Sequence, residues 1–184
     1  FDNDSESFIH ITYDKGDSSG LAHNIMSICE TVKEKQSTLW LGTYGGGLVK
    51  YEPEKGFKFY STAEGLCESR VMTVYPDTLG GRQILWLATF GGGLIRFDIE
   101  QEEFTCYQNI LGEKNSISSN FILSIKRDRF GDLWIGTFDT GLNRFEVWKN
   151  KFSCFQHDPT NVNSLGSNEV LSLYEDRTGV IWIG

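Results

Sequence analysis

Four short segments decide the fold of this protein: LWLGT at residues 39–43, LWLAT at 85–89, LWIGT at 133–137 and IWIG at 181–184. Their tryptophans follow one another at intervals of 46, 48 and 48 residues: Trp40, Trp86, Trp134 and Trp182. Similar segments at a nearly fixed interval indicate a repeat architecture, in which one structural unit recurs along the chain. The first question is therefore what one unit looks like.

The similarity extends on both sides of each tryptophan. Upstream lies an alternating apolar run: IMSI at 25–28, VMTV at 71–74, ILSI at 122–125 and VLSL at 170–173. Downstream lie GGGLVKYE at 45–52, GGGLIRFD at 91–98 and TGLNRFE at 140–146. An aromatic pair then follows at Phe57/Tyr60, Phe104/Tyr107 and Phe152/Phe155, and a slightly stretched first pair lies at Phe8/Tyr13. We divide the chain into repeats 8–56, 57–103, 104–151 and 152–184, with residues 1–7 as the end of a preceding repeat.

Each unit contains four short strand-like runs, which we name a to d in chain order, separated by turn residues. Four antiparallel strands in a unit of ~40–50 residues are typical of one β-propeller blade. The predicted fold is all-β: a β-propeller fragment of about four four-stranded antiparallel blades, forming an incomplete ring. The tryptophan column is expected to be core, packed between neighbouring blades, because a large ring buries ~150–250 Å².

The length of 184 residues corresponds to about 3.8 such units, and closed propellers typically have ~4–8 blades. The chain also starts and stops inside repeats, so we expect all of it to be part of one larger propeller domain. An incomplete ring exposes apolar blade faces and strand edges. We therefore expect contacts with other blades or domains of the parent protein, and self-association of the isolated chain, for example two copies completing a ring.

The charge balance limits the classes of partner. The chain carries 17 Lys and Arg against 25 Asp and Glu, a formal net charge of −8. Binding to nucleic acid or to an anionic membrane surface requires clustered basic residues. No apolar run approaches the ~18–20 residues of a membrane span. We expect no nucleic-acid partner and no membrane contact by this segment.

The repeat resembles a known family. The pattern N-x-V-x-S-I-x-x-D-x-x-G-x-L-W-I-G-T-x-x-G-G-L-x-x-F-D is similar to the two-component regulator propeller repeat, and the resemblance covers essentially the whole chain. The third repeat matches it best, from Asn120 through Ser124, Asp128 and Gly131 to Thr137. Departures are the missing glycine at 34–38, Ala88 in place of glycine, and Asp139-Thr140 in place of two glycines.

This resemblance implies a sensor and not an enzyme. Such propellers commonly form the periplasmic sensor region of membrane-anchored hybrid two-component regulators in Bacteroides-like bacteria, where they typically sense oligosaccharides. The histidine kinase and the transcriptional output would then lie elsewhere in the parent chain. Two alternatives remain open: a protein–protein interaction propeller without a small ligand, and a polysaccharide-active propeller enzyme.

Strand direction alternates within a blade, so the d-to-a loops and the b-to-c turns share one face. That face carries the long loops 14–22, 61–69, 108–119 and 156–167. Its turns contribute Tyr44, Phe90, Phe138 and Asp139, our candidate ligand-binding residues. Aromatic and carboxylate side chains suit a sugar, and loops on a rigid scaffold often carry binding sites. The other reading is that the three aromatic residues, which recur in one column, only shield the glycine turns.

Other motifs have structural explanations. The G-x-S-x-G match at 16–20 lacks the helix of a nucleophile elbow. The glycines at 45–47 and 91–93 are followed by strands and not by the helix of a phosphate loop. The isolated histidines His10, His23 and His157 have no partners at ligand spacing, and we expect no metal, cofactor or catalytic set. The four cysteines, Cys29, Cys67, Cys106 and Cys154, show no zinc spacing. The last two occupy one column of adjacent repeats, too far apart to be bridged, so we expect four free thiols.

Overall fold

A computed structural model describes residues 24–184 of the chain. The part described contains three four-stranded antiparallel sheets and one two-stranded sheet, each with its strands in chain order. The predicted first repeat begins within residues 1–23, which lie outside the described residues, as do His10, His23, the Phe8/Tyr13 pair, loop 14–22 and the G-x-S-x-G match. The all-β propeller-blade prediction is confirmed.

Each four-stranded sheet is one blade, whose strands run a, b, c, d along the chain. Blade 1 consists of β1 (Ile25–Lys33), β2 (Gln36–Thr43), β3 (Gly47–Glu52) and β4 (Gly56–Tyr60). Blade 2 consists of β5 (Val71–Leu79), β6 (Arg82–Thr89), β7 (Leu94–Asp98) and β8 (Glu103–Tyr107). Blade 3 consists of β9 (Ile122–Arg127), β10 (Leu133–Thr137), β11 (Leu142–Glu146) and β12 (Lys151–Phe155). The pair β13 (Leu173–Glu175) and β14 (Ile181–Ile183) forms strands a and b of blade 4.

The a-to-b hairpins are of two kinds. In blades 1 and 2 they are two-residue turns with positive φ, formed by Glu34-Lys35 and Gly80-Gly81. Positive φ at both turn residues matches the twist of the flanking strands, which explains how blade 1 manages without the repeat glycine. In blades 3 and 4 an aspartate organises a longer turn: Asp128 accepts the backbone N–H groups of Phe130 and Asp132 on one carboxylate oxygen.

The core lies between blades. Trp40 packs with residues of blades 1 and 2, and Trp86 with residues of blades 2 and 3. Both are almost completely buried, as the core prediction requires. The indole N–H of Trp86 is satisfied by Asp77, at 3.0 Å, and that of Trp40 by Thr31, at 2.9 Å.

The last two tryptophans are less buried, and the core prediction for Trp182 stays a prediction, because a blade that would cover it is not among residues 24–184. Trp134 is only half-buried, and Trp182 is 62% exposed. The reason is the neighbour: strands a to d of blade 3 cover Trp86, whereas within residues 24–184 no following blade covers Trp182. The indole N–H of Trp182 still donates to Asp176, at 2.8 Å, so the local geometry of the repeat persists without burial.

The prediction of four free thiols is wrong. Cys67 and Cys106 form a disulfide with a Cα–Cα distance of 6.6 Å, while Cys29 and Cys154 are free. The spacing of adjacent repeats separates Cys106 from Cys154 but does not separate Cys106 from Cys67. The loop that enters blade 2 brings Cys67 beside the outer strand β8, which contains Cys106. Burial raises the pKa of the free Cys29 thiol to about 11.

Candidate functional site

The structure brings the b-to-c turns and the d-to-a loops together on one face. Each turn residue donates its backbone N–H to the carbonyl oxygen of the residue just before strand a of its own blade. The distance is 2.9 Å in all three blades: Tyr44 to Asn24, Phe90 to Arg70 and Phe138 to Phe121. Two columns of residues therefore run side by side on an identical backbone frame.

We call these two columns the rim. The turn column contains Tyr44, Phe90 and Phe138. The entry column contains Asn24, Arg70, Phe121 and Glu169. Glu169 is assigned by position, because the preceding Asn168 accepts the N–H of Gly141 as Asn120 accepts that of Gly93.

Aromatic rings of the rim contact one another across blades 2 and 3. The ring centroids of Phe90 and Phe121 lie 4.9 Å apart, and those of Phe90 and Phe138 lie 5.8 Å apart. Tyr44, Phe121 and Phe138 each remain 37–47% exposed. Phe90 and Phe138 are thus part of a continuous aromatic surface that also includes Phe121, whereas Tyr44 lies beside Arg70. Asp139 is exposed beside Phe138.

Arg70 is the charged member of this aromatic surface. Its guanidinium carbon lies 5.7 Å from the Phe90 ring centroid, within cation–π distance. Its Nε and Nη2 atoms donate to the two carboxylate oxygens of Glu68, at 2.9 and 3.0 Å. Hydrogen bonds to Glu68 first, and to the Tyr44 hydroxyl to a lesser extent, raise the pKa of Arg70. The same guanidinium holds the pKa of Glu68 below its ordinary value.

Glycines make room for this ion pair. A Cβ atom on Gly91 would lie 2.6 Å from Arg70 Nη2, and one on Gly92 would lie 2.3 Å from the Cβ of Glu68. The equivalent turn of blade 3 has Asp139-Thr140, where the loop carries no such pair. The last glycine of each turn has a separate reason: a Cβ on Gly93 or Gly141 would lie 2.2 Å from a carbonyl oxygen of strand d.

Sequence reasoning missed Glu68, Arg70, Phe121 and Glu169. A usable signal was nevertheless present. Within the otherwise regular repeat, the position before the first apolar residue of strand a changes from Asn24 to Arg70 to Phe121 to Glu169. Variation at one partly exposed position on a constant frame means that the fold does not fix the residue type there, which leaves the position free to contact a ligand.

The long loops are held by their own polar residues. Asn115 accepts the N–H of Phe152 and donates to the carbonyl of Asn150, both at 2.9 Å, so it fastens loop 108–119 to blade 3. The ring of His157 contacts the carbonyl of Leu165 at 2.6 Å within its own loop. Among residues 24–184, no group of three or more His, Cys, Asp or Glu side chains could hold a metal ion. In the same range no helix is long and apolar enough to cross a membrane.

Residues 116–139 and 164–184 match the model of the two-component regulator propeller family. These segments contain the d-to-a loops, the entry column and the tryptophan strands of blades 3 and 4. The third and fourth repeats thus match the two-component regulator propeller repeat. The resemblance in the sequence is therefore confirmed. No protein with a curated description matches the sequence significantly.

Solved structures with the same fold come from B. thetaiotaomicron. Two structures of the extracellular domain of BT4673, described once as a one-component and once as a hybrid two-component system, are 27% and 28% identical to this chain, with a TM-score of 0.68 over 94% and 91% of it. The extracellular domain of BT3049, described as a hybrid two-component system, is 22% identical over 88% of the chain, with a TM-score of 0.66. The chain spans only 21–22% of the length of those chains.

Proposed function

We propose that this chain is a non-catalytic, ligand-sensing propeller segment of an extracytoplasmic two-component sensor. It detects an oligosaccharide, and the signal passes to a histidine kinase and a transcriptional output elsewhere in the parent protein. One observation carries the proposal: the entry column changes from Asn to Arg to Phe while its backbone hydrogen bond to the turn column stays the same, and the sequence continues the column with Glu169. The fold thus provides the frame, and the rim provides the chemistry.

The chemistry of the rim suits a sugar. Phe90, Phe121 and Phe138 form an aromatic surface on which an apolar sugar face can stack. Polar groups that can fix orientation stand around it: the Tyr44 hydroxyl and the Asp139 carboxylate. A mainly apolar surface with a few directed polar groups is the usual composition of a small-ligand site.

The proposed location is the periplasm, on a membrane-anchored parent protein. The disulfide between Cys67 and Cys106 supports it, because disulfides persist in oxidising compartments and are rare in the cytosol. The similarity to extracellular domains of BT4673 and BT3049 points to the same side of the membrane.

The proposed absence of catalysis rests on the environment of the Glu68 carboxylate, beside Arg70 of the rim. A general acid needs a pKa near the working pH, which usually requires an apolar environment or a second carboxylate. Glu68 has the opposite environment, since Arg70 binds both of its oxygens and lowers its pKa. Glu68 therefore stays ionised and occupied.

The test is calorimetric titration of the protein, at its full natural length, with a panel of plant and host oligosaccharides. We expect one class to bind, and Phe138→Ala to weaken that binding about tenfold, through loss of one stacking surface. The matched control is Phe130→Ala, which removes an aromatic ring that is 81% exposed in an a-to-b turn on the opposite face. Silence across the panel, or equal effects of the two variants, would overturn the sugar proposal.

Self-association of the isolated chain remains a prediction. Ile28 of blade 1 and Trp182 of blade 4 are 60% and 62% exposed, as an association surface requires. Sedimentation of the 184-residue chain over a range of concentrations tests it, and a monomer at every concentration would contradict it.

A further inference from the structure

We propose that the rim selects uncharged oligosaccharides and rejects acidic ones, with Glu68 as the positioning residue that sets this selectivity through Arg70. This inference rests on the function proposed above and names the ligand class for the same site. It starts from the position of Arg70, whose guanidinium lies beside the aromatic surface.

The edge of Arg70 formed by Nε and Nη2 is not available to bind an anionic group, and the charge of Arg70 is paired with that of Glu68. An arginine grips a carboxylate or sulfate through two parallel N–H groups of its planar fork. Two N–H groups of Arg70 already donate to the two oxygens of Glu68, at 2.9 and 3.0 Å. The backbone N–H of Arg70 also donates to Glu68 Oε1, at 3.0 Å, so the carboxylate is held by both the backbone and the side chain of Arg70.

The ion pair is also held in place. The Glu68 and Arg70 side chains lie directly against Gly91 and Gly92, where no Cβ would fit. The residue before Glu68 is Cys67, which the disulfide ties to β8. An anion that competes for this edge of Arg70 would have to displace a carboxylate that belongs to the same loop, in addition to water.

In the b-to-c turns and in the last four residues of the described d-to-a loops the remaining charges are negative, whereas Lys114 lies farther back in loop 108–119. Asp139 and Glu169 are both exposed, so three carboxylates stand against the one guanidinium of Arg70. The whole chain, with these residues included, carries a formal net charge of −8. Like charges repel an approaching anion and lower its rate and affinity of binding. An uncharged sugar incurs no such penalty and can use the exposed aromatic rings and the polar groups of Tyr44 and Asp139.

The experiment compares two sets of hexasaccharides on the protein at its full natural length. The uncharged set contains xylohexaose, mannohexaose, cellohexaose and arabinohexaose. The acidic set contains hexagalacturonate and a chondroitin sulfate hexasaccharide. We expect binding within the uncharged set, and binding of every acidic member at least about tenfold weaker or undetectable. Tighter binding of an acidic member would overturn this inference and leave the proposed function intact, whereas no binding in either set would overturn both.

A variant tests the assigned role of Glu68. In Glu68→Gln the Arg70 guanidinium is no longer neutralised, so the affinity for the acidic set should rise about tenfold, the effect of one charge-assisted hydrogen-bonding partner. Glu54→Gln, in a c-to-d turn on the opposite face, makes the same change in net charge and should leave the preference unchanged. Equal shifts in both variants, or no shift in Glu68→Gln with the fold intact by circular dichroism, would contradict the role of Glu68.

Discussion

The loops that enter blades 2 and 3 end in the same way: each has a buried residue five positions before the first residue of strand a. The two loops are nevertheless held to their blades by different chemistry. The buried residues Leu66 and Ile117 correspond, so Cys67 corresponds to Ser118. In blade 2, Cys67 is bonded to Cys106, which lies opposite Ile95 in the sheet. In blade 3, Ser118 bonds the fully buried Asn143, which lies opposite the free Cys154.

The comparison shows that one docking geometry accepts a covalent or a polar fastening. Asn143 donates to the Ser118 hydroxyl at 2.7 Å and accepts its backbone N–H at 3.0 Å. Blade 2 has the apolar Ile95 instead and needs the disulfide, since an isoleucine can make neither bond. Each fastening holds the residue three positions before the entry column, so both decide how firmly the rim is held.

Cys67→Ser should have the largest effect on stability. The disulfide joins residues 39 positions apart, and a loop of that size corresponds to about 4 kcal/mol of unfolding free energy in the chain-entropy account. Cys67 is exposed, so the change removes little packing. Urea unfolding with and without reductant measures the loss, and Cys154→Ser is the control. Cys154→Ser keeps the disulfide and should lose stability on reduction as the unmutated protein does, whereas Cys67→Ser should no longer respond to reductant. Unchanged stability of Cys67→Ser without reductant, or an equal loss in Cys154→Ser, would refute the assignment.

Asn143→Ile copies the blade 2 residue into blade 3 and should cost about 2 kcal/mol. It removes both hydrogen bonds to Ser118 and leaves polar groups of that loop without their partner. Urea unfolding measures the change, and hydrogen exchange of residues 108–121 should increase. Ile95→Val, at the matching position of blade 2, is the control: it changes the packing of a fully buried residue without removing a hydrogen bond. An Asn143→Ile loss no greater than that of Ile95→Val would contradict the fastening role.

Adding Ser118→Cys to Asn143→Ile should recover about 1–2 kcal/mol, by building the blade 2 fastening in blade 3. The new thiol takes the position of Cys67, and the free Cys154 already takes the position of Cys106. Mass spectrometry of the non-reduced protein should show the new disulfide. If the two thiols stay free under oxidising conditions, the two loops do not dock in the same way.

The smallest expected effect is the dependence of the blade 2 loop on pH. Arg70 lowers the pKa of Glu68 in the folded protein, so the ion pair stabilises the fold above the unfolded pKa of about 4.3. That stability is lost as the pH falls through the lower folded pKa, and we expect less than about 1 kcal/mol because the pair is partly exposed. Glu68→Gln should flatten the decrease between about pH 5 and 2 in acid unfolding, while Ser119→Ala at the matching position of blade 3 should not.

Much of the fold followed from the sequence because a blade is local. The alternation of apolar residues, the turn chemistry and the recurrence of Trp40 and Trp86 all act within about 48 residues. They predicted the four-stranded sheets and the burial of these tryptophans between blades. The turn column followed from strand direction alone.

The rest depends on neighbours that a repeat pattern does not specify. Trp182 has the same local sequence as Trp86 but is exposed, because burial requires a following blade. Arg70 lies beside Tyr44, and Cys67 beside Cys106, only because the loop between two blades crosses from one sheet to the next. By itself the sequence determined the strands, their order and their turns. The tertiary structure decided which variable side chains share the rim, because that proximity arises from packing between blades and not from any periodicity within one.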